Sequence, residues 1–150
     1  KSGGEIESEK WRKWQEKVLA NIFQSKSDNE ILVAAGDFNK DIREFDRNEF
    51  GEILFKDFSS EETKNVVVYS PWDDFEDKDL GTYYFDSSWE KIDHFFVMKK
   101  EFIKEFDVLS FEELTNDDGS PNKFELYKNK GYSDHLPIFC RINLTKAVNP

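Results

Sequence analysis

The chain has 150 residues, a length that suits one domain. Apolar residues make up 37% and aromatics 16%, 15 of them Phe; that supplies a core and argues against disorder despite 35% charged residues. A formal net charge of −11 repels nucleic-acid phosphates at long range, so non-specific binding would need a local basic patch, and no apolar run is long enough to cross a bilayer.

Residues 7–24 predict an amphipathic helix, with Trp11, Trp14, Val18, Leu19, Ile22 and Phe23 on one stripe and Ser8 as N-cap. A polar connection follows over 25–30. The fully apolar run 31–35 predicts a short strand buried on both faces, ending at Gly36. Residues 48–55 predict a short helix, and the β-branched run 66–69 predicts a strand that stops before Pro71. After an acidic loop over 71–80, residues 81–85 and 92–98 predict two strands joined by a turn around 86–88. Further strands are expected at 106–111 and 136–144, separated by a turn-rich surface loop at 116–121, and the last residues read as a frayed tail. Cys140 is the only cysteine, so no internal disulfide is available; its place in an apolar run predicts a buried, inert thiol. A helix followed by many strands, with polar residues gathered just beyond strand ends, points to an α/β layered sandwich. The chain opens at Lys1 without a charged-then-apolar leader, which suggests a mature, trimmed or partial chain and leaves location open.

Three short segments carry chemistry. In Gly36-Asp37-Phe38-Asn39, Asp37 and Asn39 are two apart, so extended geometry sends their side chains to one side. A carboxylate that handles a proton beside an amide that donates to a charged oxygen suits hydrolysis. The same residues are ordinary in a strand-ending turn. In Trp89-Glu90-Lys91-Ile92-Asp93-His94-Phe95-Phe96-Val97, Asp93 enters an apolar strand and needs a partner. A nearby imidazole, whose tautomer it would fix, or a surface salt bridge would serve. His94 points the opposite way and is expected to pack or hydrogen bond. In Gly131-Tyr132-Ser133-Asp134-His135-Leu136-Pro137, Asp134 offers a hard oxygen ligand and His135 a titratable group; a turn with a satisfied histidine has the same composition. A Ser133–Asp134–His135 protease triad fails because adjacent side chains point apart, and two His with one Cys are too few for structural zinc.

Together, the order GDFN, then W-x-x-IDHFFV, then SDHLP resembles the C-terminal signature of the endonuclease/exonuclease/phosphatase family, the deoxyribonuclease-I-like hydrolases. Lys1-Ser2-Gly3-Gly4, followed by a helix and a strand, resembles that family's lead into its GDFN. The resemblance implies that the 150 residues are the C-terminal portion of one domain, part of a four-layer α/β sandwich with a mixed, mostly antiparallel sheet and flanking helices. It implies a Mg2+-dependent (or Mn2+-dependent) phosphoesterase acting on a phosphate ester through one attack by water. Residue by residue, it gives Asp37 the role of orienting or deprotonating the water, and Asn39 that of holding the phosphate. It makes His135 the imidazole on the scissile phosphate, Asp93 its orienting partner and Asp134 a metal-side carboxylate. Tyr83, Tyr84 and Trp89 would line the substrate cleft or pack in the core. The family's principal metal-binding Glu, its neighbouring Asn and another His belong to an N-terminal half. The expectation is therefore an incomplete site, inactive alone, with weakly held metal and an apolar face that drives homodimerisation or pairing with the missing half. The alternative is a non-catalytic binding domain on the same scaffold. Nucleic acid, phospholipid and sugar-phosphate substrates all fit the residues, with the acidic balance favouring small or lipid-linked phosphates.

Overall fold

A computed structural model describes residues 5–27, 30–57 and 64–144 of the protein. The expected tail after Leu144 and the Lys1–Gly4 segment lie outside these residues. The described chain is a mixed α/β structure in which every strand pair is antiparallel. Helix α1 (Glu5–Gln24) comes first. It is followed by β1 (Val33–Asp37), β2 (Ile53–Asp57), β3 (Lys64–Val68), β4 (Tyr83–Phe85), β5 (Ser88–Glu90), β6 (Asp93–Val97), β7 (Ile103–Val108) and β8 (Ile138–Ile142). The ladders are β1–β6, β2–β3, β4–β5 and β7–β8. A bridge from Tyr69 to Val97 joins the end of β3 to β6, with Tyr69 N–H to Val97 O at 2.7 Å.

The core is built on aromatic rings. Phe96 is fully buried and meets the rings of Phe38, Phe45 and Phe55 edge-on at centroid distances of 5.2, 5.1 and 4.9 Å. Such tilted packing suits the ring quadrupole better than face-to-face stacking. Helix α1 lays Ala20 and Phe23 against β2, with the Phe23 ring 6.1 Å from that of Phe55. Burying a side chain of this size contributes roughly 1.5–3 kcal/mol.

Several expectations are corrected. The stripe on α1 is real, but only part of it meets a neighbour: Phe23 is buried and Leu19 half-buried, while Trp11 is 64% and Trp14 58% exposed, and Val18 and Ile22 also face out. Ser8 is not the N-cap; it lies inside the helix and accepts a bond from Arg12 Nη1 at 2.6 Å. The apolar run 31–35 does not form a strand buried on both faces. The strand runs two residues further, Gly36 belongs to it, and all but Ala34 are exposed. Residues 48–55 are no helix, because Asn48 Oδ1 accepts the N–H groups of Phe50 and Glu52 and turns the chain into β2. The turn after β4 leads into the short strand β5 rather than directly into β6. Asp86 and Ser87 both have positive φ, the signature of a type I′ hairpin turn whose twist matches the strands. The strand expected at 106–111 begins earlier, at Ile103. Cys140 is only partly buried, and that burial pushes its thiol pKa up.

Candidate active site

Strands β1 and β6 end together, and their register places Asp37 opposite Asp93. Facing residues on neighbouring strands project to the same side, so the two carboxylates share one face. One position further in, Gly36 lies opposite His94 on the other face, which packs into the aromatic core.

His135 reaches this face from a different part of the chain. Leu136 donates its N–H to Thr82 O at 2.7 Å, and a bridge joins Tyr83 to His135; these hold the segment before β8 alongside β4. The Ser133 hydroxyl oxygen accepts the His135 N–H at 3.0 Å and shapes the turn. The imidazole Nδ1 then lies 2.8 Å from Asp93 Oδ2. A carboxylate can only accept, so Nδ1 carries the proton and Nε2 is left for another group. The hydrogen bond to Asp93 raises the His135 pKa above its ordinary value. Partial burial opposes the rise, and the charges of Asp93, Asp37 and Asp134 add to it. Replacing Asp93→Asn should therefore lower the His135 pKa, as followed by its ring-proton shifts in an NMR titration. An unchanged titration would show that the pair does not form in solution.

The loop after β1 is fixed from several directions. Asn39 takes a left-handed φ of 48°, and its N–H and side-chain amide donate to Asp37 Oδ1 and Oδ2 at 2.7 and 3.1 Å. Asp37 and Asn39 are thus bonded to each other, and their amide–carboxylate contact leaves lone pairs on Asp37 for a water. Asp41 is buried and caps the short turn Ile42–Glu44. Its Oδ2 accepts the Lys91 N–H at 2.9 Å, while Oδ1 accepts from Arg43 Nε at 2.6 Å. Burial pulls its pKa up most strongly, but the bonds from Arg43 and Lys91 together hold the carboxyl below its ordinary value.

Lys40 sits beneath this loop. Its carbonyl accepts the Nε2–H of His94 at 2.8 Å, and its ammonium pairs with the buried carboxylate of Glu16 on α1 and lies over the Phe45 ring. Neither Lys40 nor Glu16 stands out in the sequence, where one follows the motif and the other reads as part of a solvated helix face. His94 packs and hydrogen bonds as its position in the strand predicts.

Four of the residues singled out in the sequence, Asp37, Asn39, Asp93 and His135, are therefore brought to one end of the β1–β6 ladder. Asp134 is adjacent but paired, with its Oδ2 3.5 Å from Lys123 Nζ. Among the described residues, no three His, Cys, Asp or Glu side chains are grouped to hold a metal ion. Asp134 alone is too few ligands for a hard cation that wants six or more oxygens. Of the aromatics proposed for the cleft, Tyr83 lies closest, its ring 5.0 Å from that of His135. Tyr84 and Trp89 pack on each other at 5.1 Å. Beside Asp37, an open cavity of about 460 Å³ is lined by Trp11, Trp14, Val18, Leu19, Ala35 and Phe38. The chain matches no protein-family model, and no curated protein matches it.

Proposed function

We propose that these residues are the proton-handling and phosphate-holding part of a metal-dependent phosphoesterase of the endonuclease/exonuclease/phosphatase type. The observation that carries this is the Asp93–His135 pair meeting Asp37 and Asn39 across the β1–β6 ladder end. The order of the three motifs along the chain supports the same reading, as does the antiparallel α/β architecture, which we take to be part of a four-layer sandwich. In this reading His135, held toward its charged form by Asp93, donates from Nε2 to an oxygen of the scissile phosphate. Asp37 orients a water and accepts its proton, and Asn39 steadies both Asp37 and a phosphate oxygen. A divalent cation, Mg2+ or Mn2+, would need ligands besides Asp134, so residues 1–150 alone are expected to turn over little substrate.

The test is Mg2+-dependent hydrolysis of an aryl phosphodiester by the protein that carries these residues. His135→Ala should lower the rate by about a hundredfold or more, the usual scale for a positioned proton donor. Unaltered activity in that variant would sink the assignment and leave a binding domain on the same scaffold.

The exposed face of α1 and the outer edge of β1 support a covering partner, either a second copy or further chain. In the β1–β6 ladder Phe38 N–H bonds Ile92 O, so by antiparallel alternation the N–H and C=O groups of Val33, Ala35 and Asp37 point away from β6. Among the described residues no strand pairs with that edge, and an open edge beside exposed Trp11 and Trp14 is a template for pairing. Residues 1–150 alone should self-associate in sedimentation equilibrium, and a monomer at all concentrations would count against a self-pairing face.

A further inference from the structure

The turn between β3 and β4 holds a buried side chain that the proposed chemistry does not use. Trp72 is 2% exposed, and its indole Nε1–H donates to the main-chain oxygen of Asp93 at 2.8 Å. That bond reaches the same residue whose carboxylate meets His135 Nδ1 at 2.8 Å. Strand geometry explains why Asp93 takes a donor from outside the ladder. Phe38 N–H bonds Ile92 O, so by antiparallel alternation the pairing with β1 uses the residues on either side of Asp93. Its own N–H and C=O turn to the other edge of β6. At Val97 that edge is closed by Tyr69, whose backbone exchanges bonds of 2.7 and 3.0 Å with it. Two residues past Tyr69 the chain turns away at Pro71, which has no N–H to offer. The indole of the next residue supplies the donor instead.

The ring itself is clamped. Phe75 and Phe106 meet it edge-on at 5.2 and 4.9 Å, and the Lys91 ammonium lies 5.2 Å from its centre. Ion pairs fasten the turn at the two residues that follow: Arg47 Nη2 to Asp73 at 2.8 Å and Lys100 Nζ to Asp74 at 2.5 Å. The Asp74 carboxylate also accepts from the Tyr69 hydroxyl. A donor whose own position is locked by packing and ion pairs can fix the peptide it bonds.

We infer that Trp72 is a positioning residue: its indole fixes the Asp93 backbone so that the carboxylate stays aligned on His135 Nδ1. It acts through Asp93 alone. A carboxylate free to drift would no longer select which ring nitrogen carries the proton, and Nε2 would lose its fixed role. A tryptophan that only filled the core would matter for stability and leave the state of His135 untouched. The effect on turnover rests on the phosphoesterase reading, whereas the hold on the Asp93–His135 pair does not.

The experiment reads the His135 tautomer from its ring-nitrogen NMR shifts, with the imidazole neutral. In the unaltered chain the Nδ1–H form should dominate. Trp72→Phe keeps a ring against Phe75 and Phe106 but has no N–H. In that variant the Nε2–H form should rise about threefold or more, within the range of one hydrogen bond. Benzothienylalanine in place of Trp72, with sulfur where the N–H was, should do the same without the change of size. Phe106→Leu loosens the same cluster but keeps the N–H, and should leave the tautomer as it is. In the Mg2+-dependent assay both Trp72 variants should lose about tenfold in kcat with KM within about twofold, the pattern of a misaligned group. An unchanged tautomer in both Trp72 variants would overturn the inference, and so would an equal shift in Phe106→Leu. A shifted tautomer beside hydrolysis indifferent to His135→Ala would uphold the positioning role and remove the phosphoesterase reading instead.

Discussion

Replacing Phe96→Ala should destabilise the protein by about 3–5 kcal/mol, the range for truncating a buried aromatic residue. Phe96 is fully buried, and its ring is within 5.2 Å of those of Phe38, Phe45, Phe55 and His94. Its ladder partner is Ala34, which is too short to fill the space a truncated ring would vacate. The three Phe rings are rigid and wedged edge-to-face and His94 stacks on the fourth side, so the cavity would collapse little and the loss should fall at the upper end. A domain of this size holds only about 5–15 kcal/mol, so most of the stability would go. The measurement is the urea midpoint of the variant with its slope unchanged, and Phe96→Leu should recover much of the loss. A loss below about 1 kcal/mol would mean that these rings are not the centre of the core.

The second large effect is acid lability through His94. Its Nε2–H donates to Lys40 O at 2.8 Å, so the neutral ring keeps Nδ1 unprotonated; among the described residues that nitrogen is buried with no partner. Protonation would place a charge among Phe38, Phe45 and Phe96 with no acceptor for the new N–H. Burial accordingly lowers the pKa from 6.5 to about 4; the bond to Lys40 O and the charges of Asp93, Asp41 and Asp37 pull weakly the other way. The sign follows directly: the unfolded chain binds the proton first as pH falls. Stability from this group is therefore full above about pH 6.5 and is lost between 6.5 and 4. The whole loss is on the order of 3 kcal/mol, at about 1.4 kcal/mol per pH unit. His135 acts in the opposite sense: its raised pKa contributes stability below 6.5 that is lost as pH rises through the raised value. Urea titrations at pH 7 and near pH 4.5 should show the fall, and His94→Gln, which keeps an N–H for Lys40 but does not titrate, should flatten it. Equal pH dependence in both proteins would assign the acid lability elsewhere.

The site was legible in the sequence to the extent that local rules governed it. Asp93 sits in an apolar strand, where an unpaired carboxylate is costly, and its partner is the imidazole the motifs suggested. Alternation along a strand sufficed to send His94 to the core and Asp93 to the other face. What escaped depends on where elements land against each other. Helix periodicity marks a stripe containing Trp11, Trp14, Val18, Ile22 and Phe23, but cannot say that only its C-terminal part meets β2. Phe50, Ile53 and Leu54 fit a helical spacing as well as a turn into a strand, and the Asn48 side chain decided for the turn. Glu16 and Lys40 are 24 residues apart and look like surface charges, so only the tertiary fold reveals that they meet. Lys123 was missed in the same way; nothing near it in sequence announces that it will pair with Asp134.

The Lys40–Glu16 contact also bounds how far the loop bearing Asn39 can travel. If that loop swung outward, the carboxylate of Glu16, with only 4% of its side chain exposed, would lose its ammonium partner while still shut away from water. Removing one member of a buried ion pair costs about 3–5 kcal/mol, a penalty that thermal fluctuations seldom overcome. The helix thus anchors the loop from beneath, through the residue that follows Asn39 in the chain.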